Sequence, residues 1–381
     1  MNPLRELHAQ AEAEFQPYGE EEIVCTFGEP QAEYAAIRKG CAMMDLPQRG
    51  ILRVTGSDRI DFLNRLLSNQ LAMKDGKNPL TAGRGVYSFL LNNKGRIVAD
   101  VNVLERGDCT LLETEARNVA RVKEMLEKHV FSEKVAFSSL IGKSHQVALH
   151  GPGAGEVLRQ LGANVNELGP LNSTVAKLDA AEAVVAAEAV IWRDDPCGVG
   201  GYFLIVPTES AGKLWMGILS VFGGGEPGKR PVRPAGWAVF NTARIEAGRP
   251  LFGIDFDDSA LPAETGQLDR AVSFTKGCYL GQEIVARMHA RGQAARQIVG
   301  IRMHQDALPI AGAPIIDDEK NQIGAITSST ISPVLSNASI CLGLLKSPFA
   351  AVGTELQIAT EGAFRTGTVV EMPFVKSRPA G

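Results

Sequence analysis

Nowhere does the sequence hold the run of about 20 apolar residues that a membrane-spanning helix requires; the longer ones, such as residues 183–191, stop well short. Neither sign of charge dominates, with 39 Lys+Arg against 43 Asp+Glu. That balance argues against a dedicated nucleic-acid coat, while leaving room for local patches. Cysteines number only six, Cys25, Cys41, Cys109, Cys197, Cys278 and Cys341, and no two form a C-x-x-C pair. A zinc site or a disulfide framework is therefore not expected, and each thiol is read singly. The first 18 residues carry Glu6, Glu12 and Glu14 and no apolar centre, unlike a secretory leader. The expectation is a cytoplasmic protein with no membrane partner.

What is present is an ordinary globular mixture, 45% hydrophobic and 22% charged over 381 residues, enough for two or three domains. A repeat runs through the first 230 residues. A strand at 51–55 leads into Gly56-Ser57 and a helix whose inner face is Ile60, Phe62, Leu63, Leu66 and Leu67. A strand at 146–150 leads likewise into Gly151-Pro152 and a helix with Val157, Leu158 and Leu161. A second pair follows. The strand at 109–113 runs into Thr114-Glu115 and a helix with Val119, Val122, Leu126 and Val130, and the strand at 202–206 runs into Thr208-Glu209 and a helix with Leu214, Ile218 and Val221. The two Thr-Glu pairs read as N-caps with a dipole-complementing carboxylate. The spacing from Gly56 to Gly151 agrees with that from Thr114 to Thr208 to within one residue, so two degenerate copies of one unit are expected.

Inside the first copy, strands at 86–91 and 96–104 flank Asn92-Asn93-Lys94-Gly95, the turn chemistry of an antiparallel hairpin. Antiparallel strands with helices on one face make the fold α+β. Gly223-Gly224-Gly225 with Pro227, Pro231 and Pro234 closes the second copy. Beyond residue 296, six short β-rich stretches separated by Gly, Pro, Asp and Asn predict a small antiparallel β-barrel over 296–381. The remainder, 1–295, divides into lobes at about 45–140 and 141–230 with a connecting segment at 231–295.

Three places carry chemistry-bearing residues. Alternation along the second hairpin strand puts Val98, Asp100, Asn102 and Leu104 on one face and Ile97, Ala99, Val101 and Val103 on the other. Asp100 and Asn102 then read either as a solvated pair or as a pocket wall. Trp237, Phe240 and Arg244 share a helical stripe that suits either packing or a clamp on a planar acidic ligand. The densest string is Lys276-Gly277-Cys278-Tyr279-Leu280-Gly281-Gln282-Glu283, followed by Arg287. Its glycines permit an unusual backbone path, and a nearby lysine would favour the thiolate over a pKa of about 8.5. A buried structural cysteine is the alternative.

That string resembles the K-G-C-[YF]-x-G-Q-E signature of the YgfZ family, folate-binding proteins that support iron–sulfur enzymes. Arg244-Ile245-Glu246-Ala247-Gly248 resembles the R-I-E-x-G element of that family and of the related T proteins of the glycine cleavage system, and Pro262-Ala263-Glu264 stands where the superfamily has P-x-E. The order of elements matches over essentially the whole chain. The resemblance implies two similar lobes forming a folate-binding core, with Tyr87, Asp100, Phe240 and Arg244 lining the site of tetrahydrofolate or a one-carbon derivative. It also implies a key thiol at Cys278, tuned by Lys276 and Arg287 within the motif of Gly277, Tyr279, Gly281, Gln282 and Glu283, and a transient iron–sulfur cluster contact with an unspecified ligand set. The expected partners are folate, iron–sulfur assembly proteins and client iron–sulfur enzymes, with only an indirect effect on tRNA modification.

The resemblance also marks two departures. The T proteins carry an acidic pair in the hairpin strand, whose first Asp is taken to support attack by the folate amine; here Ala99-Asp100 puts a methyl group first. Their Gly-aromatic-Glu, whose Glu meets the pterin, reads Gly201-Tyr202-Phe203 here. Ordinary aminomethyl transfer is on these grounds disfavoured relative to a YgfZ-like role. The alternatives are a folate-dependent one-carbon transferase and a tRNA-binding module built on Arg287, Arg291 and Arg296.

Overall fold

The computed structural model describes residues 2–72, 78–180, 183–225, 231–292 and 294–376. Its first sheet runs in the order Gly85–Leu91, Ile97–Glu105, Thr110–Glu115, Arg49–Thr55, Ala136–Ser139. The second runs Ser173–Ala180, Ala183–Arg193, Gly201–Pro207, Ser144–His150, Cys41–Asp45, Val232–Pro234. Their first four strands follow one another in the same relative order of the chain, which is the repeat expected from the sequence. Cys41–Asp45 and Val232–Pro234, outside the span read as the second lobe, complete its sheet, the latter as a parallel edge. Pro227 of the expected closing loop lies outside the described residues.

Each sheet is hydrophobic on the face its helices cover. Val101, Val103 and Leu112 pack on Phe62, Leu63 and Leu66 of helix Arg59–Leu66 and on Val119, Val122 and Leu126 of helix Val119–Glu127. Leu149, Ile191 and Leu204 pack on Leu214, Trp215 and Ile218 of helix Thr208–Phe222. Each such side chain contributes about 1.5–3 kcal/mol relative to exposure. The lobes approach so closely that a Cβ on Gly85 would lie 2.2 Å from the Leu171 carbonyl oxygen, and Ser173 N–H donates to the Gly83 carbonyl at 2.7 Å.

Arg296–Met303, Ala338–Lys346, Gln322–Ser332, Pro314–Ile316, Glu355–Thr360 and Ala363–Val370 form a closed barrel, its last strand pairing with its first. Closure removes the sheet edges. Ile298, Ile340 and Leu342 of the barrel share one apolar cluster with Tyr87 and Phe89 of the first lobe and Trp192 of the second, so three units meet where the lobes meet.

Two local expectations differ. Thr114 and Glu115 are strand residues, and Thr114 donates to the Asp100 carbonyl at 2.8 Å instead of capping a helix. Thr208 is the first residue of its helix and donates to the Gly142 carbonyl. In the hairpin, a bulge lets Leu90 pair with Ala99 while Leu91 pairs with Ile97. The extra residue turns Val98 to the helix-covered face beside Ala99 and sends Ile97 to the face that carries Asp100.

Candidate functional site

Between the two sheets lies a cavity of about 770 Å³, open mouth included. Asp100 reaches it from the middle of a strand whose nine residues are all buried. Its Oδ2 accepts the Tyr87 hydroxyl at 3.1 Å, and its Oδ1 is buried with no partner. Burial raises Asp100 to about pKa 6; Arg49 pulls against this, while Glu115 and Glu113 push with it. Burial, and then Asp100 itself, holds Tyr87 well above the usual phenol range, so its hydroxyl remains a donor.

The neighbouring strand extends this polar wall, because Asn102 stands opposite Glu113. Asn102 Nδ2 donates to Glu113 Oε2 at 2.8 Å, and Arg49 clamps both Glu113 oxygens at 2.6 Å. Tyr18 donates to Glu115 at 2.7 Å. The opposite lobe supplies Trp192 and Phe203, stacked at 4.3 Å, and helix Trp237–Glu246 supplies Trp237 and Phe240. Asp194, Arg249 and Arg270 complete the lining; both guanidiniums hold the one carboxylate, at 3.0 and 2.7 Å. Asp194 stays below the usual carboxylate range even though burial pushes it up, because Arg270 and Arg249 outweigh that push.

The unpaired buried atoms in this wall are Asp100 Oδ1, Asn102 Oδ1, Gln48 Oε1 and the indole Nε1 of Trp192. Three acceptors and one donor left in a cavity with aromatic walls suit a flat ligand rich in N–H groups, since buried polar atoms without partners are costly.

A protein-family model described as the GCVT N-terminal domain matches residues 4–276, and the glycine cleavage T-protein C-terminal barrel domain matches residues 296–376. The chain belongs to the glycine cleavage T-protein family. It is 29% identical over 377 residues to the aminomethyltransferase of Geobacillus kaustophilus, covering 98% of both chains. With the aminomethyltransferase of Anoxybacillus flavithermus it shares 30% identity over 378 residues, again covering 98% of each. The crystal structure of glycine cleavage system aminomethyltransferase T from Bartonella henselae superposes with a TM-score of 0.85 at 25% identity, over 99% of this chain and 98% of that one. The T-protein family uses tetrahydrofolate, and a pteridine with its several N–H donors matches the acceptors left open in the cavity.

Against this family frame, the structure brings Tyr87, Asp100 and Phe240 together in the cavity wall but not Arg244. The Arg244 side chain is fully buried and turned toward the barrel, where it meets Asp255 at 2.5 Å, Ser328 Oγ at 2.5 Å and the Arg249 carbonyl at 3.2 Å. The stripe that carries Trp237 and Phe240 to the cavity has wrapped round to the next interface by position 244. Ala99 also reads differently. It is fully buried among Leu63, Leu66 and Val122 on the helix-covered face, where a carboxylate could not reach the cavity. The open position is 100, so the methyl group at 99 removes no carboxylate from the site. Phe203, by contrast, does line the cavity, so that departure changes the wall.

The Lys276–Glu283 segment lies apart from the cavity lining. Lys276 is buried and does not serve the thiol: its Nζ donates to the carbonyls of Asn64, Leu67 and Asn69 at 2.6, 2.6 and 2.7 Å. Burial draws its pKa down to about 7, against three acceptors matched to its three protons. Tyr279 packs in the cluster that holds Tyr87 and Phe89. Gly281, at φ +78°, sits so tightly on the hairpin turn that a Cβ would lie 2.6 Å from the Asn92 carbonyl oxygen. Gly277 and Gln282 are half-buried, while Cys278, Glu283 and Arg287 are exposed. Much of the motif thus braces the hairpin that carries Asp100. Lys276→Met is expected to cost about 2–4 kcal/mol by stranding three carbonyls, measured by urea denaturation; wild-type stability would show that they find other partners.

Sequence reasoning missed Arg49, Glu113, Glu115, Asp194, Arg249 and Arg270. A signal existed for two: Glu113 and Glu115 alternate with Leu112 on a strand, as Asp100 and Asn102 alternate with Val101. Paired polar alternation on adjacent strands marks a wet face inside a dry fold.

Proposed function

We propose that the protein binds a reduced folate between its lobes and uses Asp100 as the base in one-carbon transfer from an amine. The observation that carries this is the Asp100 carboxylate, with one oxygen anchored by Tyr87, the other buried and unpartnered, and a pKa raised to about 6. A general base works best with a pKa near the operating pH. Tetrahydrofolate, when bound, supplies the nucleophilic nitrogens that accept the one-carbon unit. Asp100 Oδ1 accepts the proton or hydrogen bond of a reacting amine and offsets positive charge developing there. Tyr87 fixes the carboxylate's orientation. Trp192, Phe203 and Phe240 provide flat apolar walls that exclude water, and Asn102 and Gln48 offer the carbonyl oxygens a pterin's N–H groups require.

The relatives named aminomethyltransferases set the first assay: incubation with tetrahydrofolate and a reduced aminomethyl-lipoyl carrier, scored by ammonia release. Turnover is expected, with kcat/KM rising as pH passes through about 6, where Asp100 ionises. Absent turnover with this carrier, or a flat profile between pH 5 and 7, counts against the assignment.

A second reading rests on Cys278. It is exposed, while Cys41, Cys109, Cys197 and Cys341 are buried and Cys25 is half-buried, and it stands in a loop held rigid from both sides by Lys276 and Gly281. In this reading the protein also supports assembly or repair of iron–sulfur clusters in client enzymes, as the YgfZ resemblance implies, with any effect on tRNA modification indirect. No group of three His, Cys, Asp or Glu side chains suited to a metal occurs among the described residues, so further cluster ligands would come from a partner. Cys278→Ala is expected to leave folding and folate affinity unchanged and to abolish rescue of iron–sulfur enzyme activity in cells lacking the protein. Full rescue would remove this role. Direct tRNA binding loses support because Arg296 is paired with Glu264 at 3.1 Å. No described helix is long and apolar enough to cross a membrane.

A further inference from the structure

We propose that Arg249 and Arg270 form a carboxylate-binding subsite in the cavity wall, beside Tyr87, for an anionic group carried by the cavity's ligand. This rests on the folate reading and adds to it the charge the ligand must bring.

Two guanidiniums, ten N–H donors in all, share one carboxylate: Arg249 Nη2 meets Asp194 Oδ1 at 3.0 Å and Arg270 Nη2 meets Asp194 Oδ2 at 2.7 Å. Arg249 has one further side-chain contact, a long 3.4 Å bond to Gln267 Oε1. Asp195, next in the chain, has both oxygens on Arg193, at 3.2 and 2.9 Å, and acts on Arg249 only through space. Most of these donors are therefore left over, on side chains only 18% and 25% exposed. Arg249 is buried enough that its pKa is lowered. Forked guanidiniums with donors to spare match a carboxylate in geometry.

Its position relates it to the base. The Arg270 guanidinium lies 4.1 Å over the Tyr87 ring, and the hydroxyl of that same ring donates to Asp100. The cationic wall and the proton-accepting carboxylate are thus separated by little more than the breadth of a phenol. An amino acid that offers its N–H to Asp100 and its carboxylate to the arginines would be held at both ends, whereas a folate, whose benzoyl ring separates its reacting nitrogens from its glutamyl carboxylates, would reach the arginines with its tail alone. The carboxylate can come from the glutamyl tail of the folate or from an amine substrate that is itself an amino acid; the chemistry recognised is the same.

Calorimetry on the full-length protein distinguishes them, with 5-formyltetrahydrofolate, 5-formyltetrahydropteroate lacking the glutamyl group, and N-methylglycine as probes. If the folate tail occupies the subsite, Arg270→Met weakens 5-formyltetrahydrofolate by about 10–100-fold and leaves the pteroate unchanged. If the amine substrate does, both folates bind as in wild type and N-methylglycine weakens instead. Asp194→Asn frees both guanidiniums and is expected to tighten the same probe, a gain that a misfolded variant could not give. Wild-type folate binding with no probe altered beyond about twofold in either variant would overturn the subsite and leave the folate reading intact. Wild-type protein that binds N-methylglycine through Arg270 but neither folate would do the reverse.

Discussion

Asn at position 100 is expected to lower one-carbon transfer by about 10²–10⁴-fold, the usual contribution of a positioned general base, while making the protein more stable. Both effects follow from one cause. Asp100 sits where burial disfavours its charge, so its folded pKa of about 6 exceeds the roughly 3.9 of an unfolded chain. The folded state then holds the proton more tightly between those values. Stability from this group is complete below about pH 4 and is lost as pH rises through 6. At pH 7 the ionised carboxylate costs about 1–3 kcal/mol, which the uncharged amide avoids while still accepting the Tyr87 hydroxyl. Asp100→Asn should therefore melt several degrees higher than wild type at pH 7 and close to it at pH 4. A variant less stable than wild type at pH 7 would mean that Arg49 and Tyr87 favour the charge more than burial opposes it.

Arg244→Met should act in the opposite sense, costing about 3–5 kcal/mol because it leaves a buried Asp255 unpaired. Asp255 receives the Ser328 and Thr327 hydroxyls on Oδ1, at 2.6 and 2.7 Å, and Arg244 on Oδ2. These groups lock helix Trp237–Glu246 onto barrel strand Gln322–Ser332. Two residues on, Glu246 gathers Arg38, Tyr34 and Ser332. The pair should couple in a double-mutant cycle, with Asp255→Asn recovering part of the loss. Urea denaturation measures the stability, and folate titration of the folded variant should stay within about tenfold of wild type. Full stability with abolished folate binding would return Arg244 to the ligand.

The sequence made the architecture legible where local chemistry and periodicity agree. Asn92-Asn93-Lys94-Gly95 specifies a hairpin turn, the apolar stripes specify the covering helices, and the regular Gly, Pro and Asp breaks after residue 296 specify short barrel strands. The candidate site was legible only in part. Tyr87, Asp100 and Phe240 point into the cavity because strand and helix periods carry them there. Arg244 keeps the helical stripe but changes neighbours, since the stripe shows which residues align and not what faces them. The bulge at Val98 adds a residue that alternation cannot foresee, and it decides which residues flank Asp100. Lys276 is adjacent to the thiol loop in sequence, yet its ammonium is claimed by three carbonyls more than 200 residues away in the chain. Asp194 and Arg249 come from separate loops and Arg270 from the short helix Leu268–Ala271, and they meet only in the folded chain.

A reduced folate bound against Asp100 should change how that carboxyl titrates. The most direct test is carboxyl-detected NMR of the Asp100 side chain across pH, with and without saturating 5-formyltetrahydrofolate. The free protein should titrate at about 6, and bound ligand should lower that value by donating to the charged form. A carboxyl that titrates near 4, or one indifferent to saturating folate, would contradict it.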